Sequence, residues 1–258
     1  MTSRGRAGTS RQSSALPDLA YLVRPGEDNE ELRYSLRSIA TYLTGFRKVW
    51  IVGTVPSWLR NVEPLPLAPA PEKFANMRQS LTALCARRDA AKTVIVFNDD
   101  HFLTEPVDAR DFPAFHLGSA KRYVDHIVRI GAVGANNTWR VAVRDTAAWV
   151  ESRGVPDPMC YESHTPLPFD RAKLGALIAE YPTDRRLAYP QLYPLAGAGP
   201  VGVDAGNSKV QALDASQLLP KIDQPMPWLS SNDASFANGM IGGYVRGMFR
   251  QPSSYEKG

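Results

Sequence analysis

Four sets of residues have the types and spacing to do chemistry. The first is "VIVFNDDHF" (94–102), where an apolar run stops at Asn98, Asp99 and Asp100. Two carboxylates and a neutral oxygen donor at a strand end suit Mg²⁺ or Mn²⁺, and equally suit an Asx turn that starts the next element. The second is the pair Arg33 and Arg37, one helical turn apart. Two guanidiniums at i, i+4 grip a phosphate from two sides, or pair with Glu30 and Glu31 on the same helix face. The third is His164 in "ESHTPLP", a histidine in a proline-stiffened segment with the reach of a general base or of an ordinary structural imidazole. The fourth is Asn232-Asp233 in "SSNDASF", the expected start of a final helix within 230–249.

These residues need elements to hold them, and the first half of the chain supplies a clear alternation. "DLAYLV" (18–23), "KVWIVG" (48–53) and "TVIVF" (93–97) read as strands. Between them, 28–43 carries Leu32, Leu36, Ile39, Ala40 and Leu43 on one helical face, with Asp28 or Asn29 as cap and Glu30 and Glu31 at the positive end of the dipole. A second helix is expected over 72–88, with Phe74, Met77, Leu81 and Leu84 on one side. The proline-rich 63–72 reads as an extended loop, because proline cannot join a central ladder. Strand–helix–strand–helix–strand predicts an α/β fold with a mostly parallel central sheet flanked by helices, ligands binding beyond the carboxyl ends of its strands. The second half is less regular: helices are expected over 119–131, 139–153 and 170–181, the last capped by Asp170, with a loop or short strand over 156–170. The glycine-rich 194–208 lacks the pattern of a phosphate-binding P-loop.

Composition excludes several classes. The 258 residues are 43% hydrophobic and 22% charged, as in ordinary globular proteins, and no apolar run is long enough for a membrane span. Neither a signal peptide nor a disulfide framework is indicated, with Cys85 and Cys160 the two cysteines, so a cytoplasmic setting is expected. The net charge is +4, but residues 1–16 hold Arg4, Arg6 and Arg11 and no acid, so 17–258 carries only +1. The first 16 residues read as a disordered basic tail and 17–258 as a single domain. DNA is thus an open but disfavoured partner.

Taken in order, "DNEELRYSLRSI" (28–39), "RKVWIVGTVPSWL" (47–59) and "VIVFNDDHFLTEPV" (94–107) closely resemble the second conserved region of the Stealth family, sugar-phosphate transferases of polysaccharide synthesis. "HTPLPFD" (164–170) is similar to the third region and "SSNDASF" (230–236) to the fourth, with a flavour of compact glycosyltransferase-like proteins of actinobacterial phages. The resemblance implies a glycosyltransferase-A-like fold and a nucleotide-sugar donor. It further implies a divalent cation (Mn or Mg) and transfer of a sugar or sugar-1-phosphate to a hydroxyl of a macromolecule: glycan, protein or modified DNA base. By the same resemblance Asp99 and Asp100 hold the metal, and His164, Asp100 and Arg37 are catalytic. Arg24, Asn29, Arg33, Arg37, Asn98, Asn232 and Asp233 then bind the donor. The family's first region, an acidic loop after the opening strand, is missing: "YLVRPGE" (21–27) places Arg24 and Glu27 there. That departure supports an alternative, a non-catalytic glycan- or nucleotide-binding module that kept the fold and lost the chemistry.

Overall fold

The computed structural model describes residues 15–257 except 27, 132–133, 135–136, 201, 205–206 and 224–226. Residues 1–14 of the expected basic tail, and Glu27, lie outside the described residues. The elements follow in order as β1 (Asp18–Val23), α1 (Glu30–Tyr42), β2 (Leu43–Thr44), β3 (Val49–Gly53), β4 (Glu63–Pro66), α2 (Lys73–Cys85), β5 (Thr93–Asn98), β6 (His101–Leu103), β7 (Val107–Asp108) and β8 (Phe115–His116). The second half comprises α3 (Ala120–Arg129), α4 (Thr138–Glu151), β9 (Leu167–Asp170), α5 (Arg171–Glu180), α6 (Tyr193–Ala196), β10 (Val203–Asp204), α7 (Leu218–Ile222), β11 (Trp228–Ser230), α8 (Asp233–Asn238) and α9 (Met240–Met248). Among the described residues no helix is long and apolar enough to cross a membrane.

The central sheet has the order β4-β3-β1-β5-β9. β4, β3, β1 and β5 run parallel and β9 antiparallel. Side-chain alternation divides β1 between two cores. Leu19, Tyr21 and Val23 join Leu32, Leu36 and Ile39 of α1 on one face. Ala20 packs with Leu81 and Leu84 of α2 and Leu174 of α5 on the other. Central parallel strands are covered on both sides, so β1 and β5 read as continuous apolar runs. Two details differ from the sequence reading of this half. Ala40 is exposed rather than part of the α1 stripe. The 63–72 stretch is not all loop, since Glu63–Pro66 pairs with β3. The outermost position reconciles Pro64 and Pro66 with a sheet, because an edge strand bonds on one side only.

Leu22, Gly53 and Asn98 lie together at the carboxyl edge, through the pairs Leu22–Asn98 and Val23–Gly53. Gly53 has φ 106°, and a Cβ there would stand 2.3 Å from the Val23 carbonyl oxygen. That approach lets the Thr54 N–H donate to the same carbonyl at 3.0 Å.

A second, smaller construction rises over this edge. β6 pairs antiparallel with β11, and Lys209 forms a parallel bridge to Ser230 on the other side of β11. Ser208 then reaches Ser163, its N–H donating to the Ser163 carbonyl at 3.0 Å. Segments far apart in the chain (98–103, 163–164, 207–210 and 228–233) meet through this ladder. The final helix is interrupted: Gly239 is extended at φ −102° and its N–H donates to Ser235, so α8 and α9 are separate.

Candidate active site

The β5–β6 turn carries the two aspartates. Asn98 ends β5, Asp99 and Asp100 form the turn, and His101 opens β6. Helix α1 anchors this turn through two buried serines. The Ser35 hydroxyl donates to the His101 carbonyl and meets the Tyr21 hydroxyl at 2.9 Å, while Ser38 Oγ accepts the Leu103 N–H at 3.0 Å. Serines at i, i+3 inside an apolar stripe stitch helix to strand, satisfying polar groups that would otherwise be buried unpaired.

Asp99 and Asp100 have different surroundings. Burial, then the neighbouring Asp100 and Glu31 charges, push the Asp99 carboxyl up to about 7 against the pull of Arg24. Glu31 is raised to about 7 as well, by burial and by Asp100 and Asp233, although the Ser231 hydroxyl donates to it at 2.5 Å. Asp100 goes the other way. Burial would raise it, but His101, Lys209, His164 and Ser230 hold it below the usual carboxylate range. Its Oδ2 lies 3.4 Å from Lys209 Nζ and 3.2 Å from Ser230 Oγ. Burial lowers both imidazoles, His101 to about 4 and His164 to about 3, so at neutral pH the full positive charge beside Asp100 is that of Lys209.

His164 stands in the left-handed region at φ 55°, a conformation uncommon for a residue with a side chain. Ser208 holds it there: its hydroxyl donates to the His164 carbonyl and lies 3.1 Å from that of Ser163. Lys209 and, more weakly, Lys73 depress the His164 imidazole, and Lys73 and Lys209 also act on Glu162, whose carboxylate accepts the Trp139 indole N–H at 3.1 Å. The charges around this turn therefore fall into two poles. Glu31, Asp99 and Asp233 make an acidic one, with Arg24 donating to Asp233 at the rim, 57% and 71% exposed. Lys209 makes the other, beside the neutral His164 imidazole, and Asp100 is electrostatically coupled to both poles.

Not every expected site residue arrives here. Arg33 and Arg37 engage Glu256, not Glu30 or Glu31 and not the aspartate turn. Arg33 Nη1 reaches Glu256 Oε2 at 2.9 Å, and Arg37 grips both carboxylate oxygens at 2.7 Å while donating to the Phe249 carbonyl. Arg33 also lies over the Trp58 ring. Glu30 pairs instead with Arg246. Asn29 precedes α1 with φ 48° and makes no capping bond; its side-chain N–H donates to the Arg24 carbonyl and shapes the loop that presents Arg24. Asn232 is the N-cap of α8, accepting the Ser235 N–H at 2.8 Å in a reciprocal capping box. Asn98 is the last β5 residue, and its backbone N–H donates to His101 Nδ1 at 3.3 Å. Sequence reasoning missed Glu31 and Lys209 as site residues. Glu31 shows only as a helix-dipole acid, and nothing local marks Lys209, because a distant bridge to Ser230 places it.

Four oxygen-donor carboxylates face two cations, Arg24 and Lys209, across this site. Oxygen donors of this charge are the type that a hard divalent cation takes, but their arrangement is not a ready-made metal site. Among the described residues no three His, Cys, Asp or Glu side chains stand in metal-ligand geometry.

No family model matches the chain. It is similar to the exopolysaccharide phosphotransferase CpsY of Mycobacterium tuberculosis, 26% identical over 187 residues that cover 64% of this chain and 34% of the relative. The same figures hold for CpsY of Mycobacterium bovis. The human N-acetylglucosamine-1-phosphotransferase subunits alpha/beta are 32% identical over 133 residues, covering 44% of this chain and 10% of theirs. The matched part is a minority of each relative's length. These sugar-phosphate transferases support the Stealth-like resemblance at the level of a distant relationship.

Proposed function

We propose that the chain is a nucleotide-sugar-dependent transferase of Stealth-like, glycosyltransferase-A-like type, moving a sugar-1-phosphate onto a hydroxyl of a macromolecular acceptor. The observation that carries this reading is the two-poled charge cluster at the β5–β6 turn: Glu31 and Asp99, raised by burial and neighbouring acids, on one side, and Lys209, 3.4 Å from Asp100, on the other. Asp99 and Glu31 would hold Mg²⁺ or Mn²⁺, with Asp100 adding charge. The ion, when bound, would supply neutralisation of the donor's diphosphate. Arg24 faces the donor from the rim, and Lys209 faces the phosphoryl group in transfer. Arg33 and Arg37 serve as scaffold through Glu256.

The acceptor oxygen attacks the phosphorus that carries the sugar, its proton passes to His164, and a nucleoside monophosphate leaves. Burial first and Lys209 second hold His164 at about 3, a weak base, so the reading requires the bound anionic donor to offset Lys209 and raise it toward the working pH. Catalysis of this kind is positioning and charge neutralisation on in-line oxygens. Incubation with labelled nucleotide sugars and Mn²⁺ tests the reading. Nucleoside monophosphate release supports it, nucleoside diphosphate release converts it to glycosyl transfer, and no binding or turnover of any donor by folded protein removes it in favour of a non-catalytic module.

A further inference from the structure

Two buried polar atoms face each other beside the turn without a hydrogen-bond partner: Asp100 Oδ1 and His101 Nε2. They are 3.8 Å apart, beyond the range of a hydrogen bond. The imidazole is otherwise fixed. Its Nδ1 accepts the Asn98 N–H at 3.3 Å, and its own carbonyl accepts the Ser35 hydroxyl. A neutral ring that accepts at Nδ1 carries its proton on Nε2. A buried donor is therefore directed at a buried charged acceptor. On the opposite side of the same carboxylate, Oδ2 meets Lys209 Nζ and Ser230 Oγ.

We propose that His101 is a positioning residue for Asp100. Its Nε2–H, directed at Asp100 Oδ1, orients the carboxylate so that Oδ2 keeps Lys209 aimed at the phosphoryl group. The role of Lys209 rests on the transferase reading, whereas the His101–Asp100 contact stands without it. A histidine that only completed the turn needs the Nδ1 acceptor and nothing at Nε2. The contact across Nε2 distinguishes the two roles.

Two near-isosteric variants separate them. In His101→Gln the side-chain amide places an N–H where Nε2 lies; in His101→Asn the carbonyl places an acceptor where Nδ1 lies and nothing reaches Asp100. With a turned-over nucleotide sugar, His101→Asn should lose about 10- to 100-fold in kcat with little change in donor KM, and His101→Gln should recover most of it. Equal activity of the two variants, or a loss only in His101→Gln, overturns the proposal. Nitrogen-15 spectra of the wild-type histidines should show an unprotonated Nδ1 and a protonated Nε2 for His101, and Asp100→Asn should shift the Nε2–H signal. A ring protonated at Nδ1, or no response to Asp100→Asn, overturns it too. These spectra need no substrate, so a protein that turns over no donor loses the transferase reading while the His101 result still decides this one.

Discussion

Both ends of strand β1 bury carboxylates, and they treat them oppositely. At the amino end Asp18 is fully buried and fully satisfied. It accepts from Arg47 at 2.9 and 2.8 Å, from the Trp50 indole at 2.9 Å and from the Ala91 N–H at 2.8 Å. Burial would raise its pKa, yet those bonds hold it low. At the carboxyl end Asp99 and Glu31 are pushed up to about 7 by burial and by neighbouring acids, Asp100 and Glu31 on Asp99 and Asp100 and Asp233 on Glu31. Glu256, also buried, belongs with Asp18: Arg37, the Ser253 N–H and Arg33 overcome its burial and hold it at about 2. The acids that brace the fold have cationic partners close by, and the raised pair has other acids instead. The partners make the difference: Arg47 and Trp50 for Asp18 and Arg37 and Arg33 for Glu256, against neighbouring acids for Asp99 and Glu31.

The widest separation should come from Asp99→Asn. Turnover should fall about 10³-fold, the scale of removing one electrostatic stabiliser, while the melting temperature holds or rises. A variant that melts lower and keeps its turnover would reverse the comparison. Asp18→Ala should do the opposite, costing about 3 kcal/mol in denaturant unfolding because it leaves buried donors unpaired, with unchanged turnover per folded molecule. Glu256→Gln should cost about 2 kcal/mol near neutral pH, measured the same way. Its contribution is present above the unfolded-state pKa and disappears as pH falls from 4.5 toward 2, so the variant and the wild type should converge in acid.

A smaller effect sharpens the contrast further. A carboxyl raised from 3.8 to about 7 binds protons more tightly when folded, so wild-type stability drops as pH rises through that interval. The depressed histidines 101 and 164 act in the other direction, but they are common to both proteins. The melting-temperature gap between Asp99→Asn and wild type should therefore widen from pH 5 to pH 8, by about 1 kcal/mol in stability after solvent screening. Mn²⁺ should raise the wild-type melting temperature and close that gap, and should leave the Asp99→Asn, Asp100→Asn double variant unmoved. A constant gap would mean that Asp99 is no more strained than Asp18.

Local pattern made much of the scaffold legible. Leu32, Leu36 and Ile39 predict the buried face of α1, and Asp170 its capping role at α5, where it accepts the Lys173 N–H at 3.0 Å. The strand-end logic puts Asp99 and Asp100 at the carboxyl edge. What the sequence hid is long-range. Lys209 reaches Asp100 across 109 positions and Asp233 meets Arg24 across 209. Arg33 and Arg37 read as ligand-binding because their partner is remote from their helix. Spacing arguments see one turn of helix at a time, and these pairings are tertiary.

The Glu256 clasp has a consequence for how the molecule comes into being. Arg37 is synthesised early, and the carboxylate that neutralises it comes 219 residues later. Asp233 reaches Arg24, and Ser231 reaches Glu31, across similar spans. A nascent chain can lay down β1 and α1, yet these charges stay unpaired until residues 231–256 are made. Such high sequence separation slows folding and lengthens the interval in which partly built surfaces are exposed. The turn at Asp99 and the Glu256 clasp therefore mature together, and a chain without residues 228–256 would lack the charge balance of the fold described here.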